Sequence, residues 1–263
     1  MAIVIAVTNQ KGGVGKTTTS INLAYFLSKA GKRTLLVDFD PQGNATSGLG
    51  IDKSELTGTM TNVIKGDQTL DDVIVKTEYK HLSVAPTTSI LANTEAEMAQ
   101  VDKRFSRLKI AIDSLQTVYD YVIIDSPPSL SLLTVNGLIA SRFVLLPVQA
   151  EFYALEGLGQ LLETMKLVRK GMNPNLELLG VLPTMLDSRT TLSTQVHAEI
   201  KRHFPGKVFE TTIPRNIRLA EAPSHGIPIG VYDKFSKGSR AYKALAKEVI
   251  DRAEAPVQTG VAS

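Results

Sequence analysis

The chain has 263 residues, with 29 lysines and arginines against 26 aspartates and glutamates, for a net charge of +3. That length suffices for one α/β domain with a buried core, and the ordinary apolar content excludes a fibrous or disordered chain. The absence of cysteine excludes disulfides, cysteine-held zinc and iron–sulfur clusters, while the mild positive charge permits a local basic face without demanding one.

Strand-like runs are predicted at 2–8, 33–38, 81–85, 120–125, 142–148, 177–183 and 207–210. Several are apolar on both faces, as in Val122-Ile123-Ile124 and Phe143-Val144-Leu145-Leu146, which suits a parallel sheet covered by helices on both sides. Helical periodicity falls between them, near 17–30, 103–117, 132–140, 154–170, 190–203 and 237–253. The alternation predicts an α/β fold with a doubly wound, mostly parallel sheet flanked by helices on both faces. The polar stretch 51–80 reads as short helices and loops. Residues 1–253 are expected to form a single domain and 254–263 a disordered tail.

The first strand runs into Asn9-Gln10-Lys11-Gly12-Gly13-Val14-Gly15-Lys16-Thr17-Thr18 and then into an apolar-periodic helix. Strand, glycine-rich turn and helix in that order make a phosphate-binding loop, the fold class of a P-loop NTPase. The glycines let backbone N–H groups turn inward around anionic oxygens. Lys16 is expected to reach the β- and γ-phosphates, and the Thr17 hydroxyl to bind Mg²⁺. Gln10 stands where the common pattern has its first glycine, and a second lysine, Lys11, lies inside the loop.

Two further strands end in acids. Leu35-Leu36-Val37-Asp38-Phe39-Asp40-Pro41-Gln42-Gly43-Asn44 closes on Asp38 and Asp40, which can orient a water or hold Mg²⁺ through water. Read alone, it is better explained as an Asp-Pro turn capping a strand; beside the phosphate-binding loop that explanation loses. Tyr121-Val122-Ile123-Ile124-Asp125-Ser126-Pro127-Pro128 ends in one acid, placing Asp125 near the Mg²⁺ of Thr17. His81, His197, His203 and His225 show no metal or triad spacing.

The Lys-Gly-Gly-Val-Gly-Lys-Thr-Thr segment resembles the deviant Walker A box of the ParA/MinD ATPase superfamily. The segments Asp-Pro-Gln-Gly-Asn, Pro-Val-Gln-Ala-Glu-Phe-Tyr-Ala-Leu-Glu-Gly (147–157) and Pro-Arg-Asn-Ile-Arg-Leu-Ala-Glu-Ala-Pro-Ser-His-Gly resemble its ParA/Soj branch. The resemblance runs from Ala2 to about Asp251. It implies ATP and Mg²⁺ as cofactors, held by Lys11, Gly12, Gly13, Val14, Gly15, Lys16, Thr17 and Thr18. It further implies an ATP-dependent homodimer in which Lys11 touches the partner's nucleotide and Gly12 lies at the contact. Asp40 then activates water for hydrolysis, with Lys11 and Lys16 assisting, and Asp38 supports the metal shell of Thr17 and Asp125. Pro214 and Asn216 border the adenine; an ordinary ordered loop is the competing reading of that segment.

The same branch binds double-stranded DNA without sequence preference and works with a ParB-type centromere-binding protein that stimulates hydrolysis. Arg189 and Arg218 match its DNA-contacting positions. Arg215, Lys201, Arg202, Lys234, Lys237 and Arg240 are further basic candidates, of which the lysines also read as solvated charges. Sparse aromatics near these charges argue against single-strand binding. With no visible leader and no long apolar run, a cytoplasmic, nucleoid-associated protein without membrane attachment is expected, for chromosome or plasmid segregation. A MinD-type membrane regulator is the rival, but the Pro- and Gly-bearing C-terminal segment makes a poor amphipathic anchor. A tyrosine-autophosphorylating kinase would need a tyrosine-rich tail, and the last tyrosine is Tyr242. A scaffold that holds ATP without turnover stays open.

Overall fold

The computed structural model describes residues 2–98, 101–151, 158–187 and 190–255. Its strands are β1 (Ile3–Val7), β2 (Thr34–Asp38), β3 (Val75–Lys76), β4 (Leu82–Ala85), β5 (Tyr121–Asp125), β6 (Phe143–Gln149) and β7 (Glu177–Thr184). They form one sheet in the order β3-β4-β2-β5-β1-β6-β7. Every neighbouring pair is parallel except β3 with β4. The helices, in chain order, are α1 (Lys16–Lys29), α2 (Asn44–Ser47), α3 (Met60–Lys65), α4 (Leu70–Val73), α5 (Ile90–Met98), α6 (Arg107–Asp113), α7 (Leu132–Ala140), α8 (Leu158–Gly171), α9 (Thr191–His203), α10 (Ile217–Glu221), α11 (Ile229–Tyr232) and α12 (Lys237–Ala253).

Alternation along each strand sends side chains to two separate cores. Ile5, Val7, Leu36, Ile123 and Leu145 face a layer built from Ile21, Leu23 and Leu27 of α1 and Leu245 and Val249 of α12. Val4, Leu35, Val37, Val122 and Ile124 face Met60, Ile64, Leu108 and Leu133. On that same side, Val144, Leu146 and Val181 meet Leu161, Met165 and Ile200. Both faces of the central strands are therefore dry, as their unbroken apolar runs require.

The structure refines several expectations. Residues 207–210 supply a single bridge, Val208 to Val181, rather than a strand. The edge strand β3 carries no hydrophobic run and exists only by pairing with β4. The helix expected over 103–117 is confined to α6, and α5 has no counterpart in the periodicity reading. The stretch 51–80 does hold short helices: α3 and α4 each start with a capping box, on Thr59 and Thr69. Glu254, placed in the tail, is instead tied down, accepting from Tyr121 Oη and from Lys32 Nζ, both at 2.8 Å.

Candidate functional site

The loop joining β1 to α1 has Gly13 at φ 75° and Gly15 at φ 87°, a left-handed conformation that favours glycine. Gly15 is the N-cap of α1 and brings no side-chain cap, and the first turn carries no acid. The helix therefore presents uncapped N–H groups and the positive end of its dipole, the two ingredients of an anion site. Neighbouring strands hold the loop in place. Asn9 Oδ1 accepts from Lys11 N at 3.0 Å, while Asn9 Nδ2 donates to Pro147 O at 2.7 Å. Thr184 Oγ1 donates to Val14 O at 2.8 Å.

Lys16 is buried, and its Nζ donates to the Lys11 carbonyl at 3.1 Å. Burial lowers its pKa, and the charges of Asp125 and Asp40 oppose that shift. Asp125 and Asp38 are opposite one another in the register of β5 and β2, and both are fully buried. Asp125 Oδ1 accepts from Ser20 Oγ at 2.8 Å. Asp38 Oδ2 accepts from Thr46 Oγ1 at 2.6 Å and Thr46 N at 2.7 Å. The remaining oxygens, Asp125 Oδ2 and Asp38 Oδ1, are buried without a hydrogen-bond partner. Both carboxyl pKa values rise. Desolvation is the main cause in each; Asp38 adds repulsion at Asp125, where the Thr17 hydroxyl acts in the other direction. Asp40 lies two residues past the strand, buried, with Oδ1 accepting from Gln42 N at 3.0 Å.

Two bare anionic oxygens beside a threonine hydroxyl and a helix N-terminus form a donor set suited to a hard divalent cation next to phosphate. Among the described residues no three acidic or histidine side chains are placed to hold a metal ion by themselves, so such a cation would complete its shell with water and phosphate oxygens.

Glu151 is a site residue to which the sequence reading gave no role. Its carboxylate is 3.5 Å from Lys11 Nζ and 3.8 Å from the Arg215 guanidinium, and it accepts from Gln149 Nε2. It thereby links the loop to the segment of Pro214 and Asn216. That segment bridges to Leu186 past the end of β7, and Asn216 caps α10 through Oδ1, at 2.9 Å from Arg218 N. Arg218 is half-exposed and paired with Glu221 at 2.9 Å and Asp233 at 3.8 Å. Arg189 lies outside the described residues. Ser20 and Thr46 also escaped the sequence reading. Their only sequence signal is position: Ser20 is one helical turn beyond Thr17, and Thr46 follows the Asp40 turn.

A family model described as an AAA domain matches residues 2–178. The chain is 54% identical over 249 residues to the sporulation initiation inhibitor protein Soj of Bacillus subtilis, covering 95% of this chain and 98% of that protein. It is 50% identical over 249 residues to the chromosome partitioning protein ParA of Myxococcus xanthus, covering 95% and 88%. Among solved structures, cobyrinic acid a,c-diamide synthase from Mycobacterium smegmatis with bound ATP analog and magnesium superposes with a TM-score of 0.85 at 38% identity, covering 97% of each chain.

Proposed function

The chain belongs to the ParA/Soj family of chromosome-partitioning ATPases, and from that premise we propose that it is a nucleotide-gated DNA-binding switch. ATP with Mg²⁺ supplies the phosphoanhydride bond and the cation charge. The uncapped amides of Gly13 to Thr18 and the buried Lys16 hold the phosphates. The Thr17 hydroxyl and the bare oxygens of Asp125 and Asp38 hold the cation, directly or through water. Asp40 orients the attacking water from the turn after β2. Lys11, on the exposed rim of the loop, reaches the nucleotide of a second copy across a face-to-face dimer. Pro214 and Asn216 border the base, with the Asn216 amide nitrogen left to meet its edge.

The observation that carries this reading is the buried pair of half-satisfied carboxylates against an uncapped helix N-terminus. Dimerisation doubles the basic side chains presented to one duplex, Arg218 and Arg189 among them, and affinity for phosphates rises steeply with that number. Arg218 can exchange its surface partners for phosphate at little cost, because exposed ion pairs are worth about 0–1 kcal/mol. A ParB-type partner is the proposed stimulator of hydrolysis, which returns monomers from the nucleoid. The similarity to a diamide synthase, at 38% identity, does not redirect this reading, since the likeness to the Soj and ParA proteins is 50–54%.

Binding to a random-sequence duplex at one fixed salt concentration, with ATP and with ADP, tests the proposal in wild type and Asp40→Ala. ATP-dependent binding that persists or strengthens in Asp40→Ala supports it. No binding in either nucleotide state removes DNA as the surface and leaves the ATPase alone.

A further inference from the structure

Two hydroxyls in the site take no part in the functions assigned above. Asp38 and Asp125 each have one oxygen that accepts a hydrogen bond and one without a partner, and in both cases a hydroxyl marks which is which. Ser20 Oγ has one proton and two acceptors in reach, Asp125 Oδ1 at 2.8 Å and Lys16 O at 3.1 Å. The carboxylate is the nearer and the charged acceptor, so it takes the proton. Thr46 is constrained from both sides. Its Oγ1 accepts from Thr87 N at 3.0 Å, which turns its own proton to Asp38 Oδ2. Both hydroxyls are fully buried, and neither has another charged group to serve.

A carboxylate otherwise turns freely about its last bond, where the energy wells are broad. Here one oxygen of each is anchored from the flanking helix, Ser20 on α1 and Thr46 on α2, and the other is left buried without a hydrogen-bond partner. The anchors come from opposite neighbours of a single register pair, Asp38 with Asp125.

We propose that Ser20 and Thr46 are positioning residues that aim Asp125 Oδ2 and Asp38 Oδ1 at the Mg²⁺ of the bound nucleotide. The inference rests on the nucleotide reading of this site. It assigns the two hydroxyls a role in metal coupling rather than in folding alone. Loss of such an outer hydrogen bond typically weakens metal affinity by about 10- to 100-fold.

The test is the affinity of the full-length chain for a fluorescent ADP analogue in excess Mg²⁺ and in EDTA. In wild type Mg²⁺ tightens binding. Ser20→Ala is expected to lose about tenfold of that gain while its affinity in EDTA stays that of wild type. Thr46→Val should behave alike, and Ser20→Thr and Thr46→Ser, which keep the hydroxyl, should retain the gain. Thr46→Val also strips the Thr87 amide of its acceptor; should it fail to fold, Ser20→Ala and Ser20→Thr decide the matter. The proposal is overturned by a full Mg²⁺ gain in Ser20→Ala, by an equal loss in Mg²⁺ and EDTA, or by Ser20→Thr losing as much as Ser20→Ala. A wild type whose nucleotide affinity ignores Mg²⁺ would overturn the metal reading itself, a result distinct from these.

Discussion

Asp125 shows how one residue carries opposite demands. Folding removes its carboxylate from water and sets it beside Asp38, and the hydroxyls of Ser20 and Thr17 only partly compensate. Its folded pKa is raised above the unfolded value, so the native state holds the proton more tightly than the open chain. This contribution to stability is complete below the ordinary carboxylate range and is lost as pH rises through the raised value. Asp38 acts with the same sign. The metal-free protein is therefore expected to be less stable near pH 8 than near pH 5.5. Asp125→Asn should remove part of that slope and add on the order of 1 kcal/mol at neutral pH, while abolishing the Mg²⁺ effect on nucleotide affinity. Urea denaturation in EDTA at the two pH values measures it, and superimposable curves for the two proteins would contradict it. Gly12 makes a different point. A Cβ there would meet nothing within 4 Å, and its φ is not positive. Gly12→Val is thus expected to unfold with wild-type stability and still bind ATP, yet to stay monomeric by light scattering. A normal ATP dimer would refute the placement of Gly12 at the contact. Gly15, at φ 87°, differs: Gly15→Ala should cost about 1–2 kcal/mol through backbone strain alone.

At the scale of elements, the helices differ in what holds them. The sheet face under α1 is closed by α12, which packs Tyr242, Leu245 and Val249 into the core and ties Tyr242 Oη to Thr19 Oγ1 at 3.1 Å. The last turn of α12 is fastened by Arg252. Its guanidinium donates to Leu179 O at 3.3 Å, Val208 O at 2.7 Å and Glu248 Oε1 at 2.7 Å, and stacks 4.2 Å from the Phe209 ring centre. Removing it takes a donor from two backbone carbonyls, one in β7 and one in the 207–210 segment that makes only an isolated bridge. Arg252→Ala is expected to lower stability by about 1–3 kcal/mol. Lys32→Ala, which removes a half-exposed pair with Glu254, should change it by at most about 1 kcal/mol. Equal losses in thermal or urea denaturation would show that the guanidinium does not clamp this end.

For the whole molecule, the proposed switch depends on counting charges. A net charge of +3 on one chain gives weak non-specific attraction to DNA, and a dimer doubles the number of phosphates that one chain neutralises. The logarithm of DNA affinity in ATP is expected to fall linearly with the logarithm of salt. Arg218→Ala should make that slope shallower by about 2 per dimer, because each protomer then neutralises one phosphate fewer. It should leave the ATP dimer intact. Titrations at several salt concentrations, with dimer mass checked in parallel, measure this, and an unchanged slope would remove Arg218 from the interface.

What the amino-acid sequence determined by itself was local chemistry with a short reach. Gly13, Gly15, Lys16 and Thr17 are legible because a strand, a left-handed turn and a helix N-terminus must follow each other within a few residues. Asp38 and Asp125 are legible because each ends an apolar run that only a buried strand explains. Resemblance extended that reading to the family. Tertiary structure decided what depends on register and on distant neighbours. The pairing of β2 with β5 sets Asp38 against Asp125, and the packing of α1 and α2 selects which oxygen of each is answered. The end of β6 brings Glu151 to Lys11 and Arg215. The short α10 and α11, hidden in a segment punctuated by Pro214, Pro223 and Pro228, are too short to be stable alone. They fold because Leu219 and Ile229 find a core already built by other parts of the chain, and no local pattern records where that core will be.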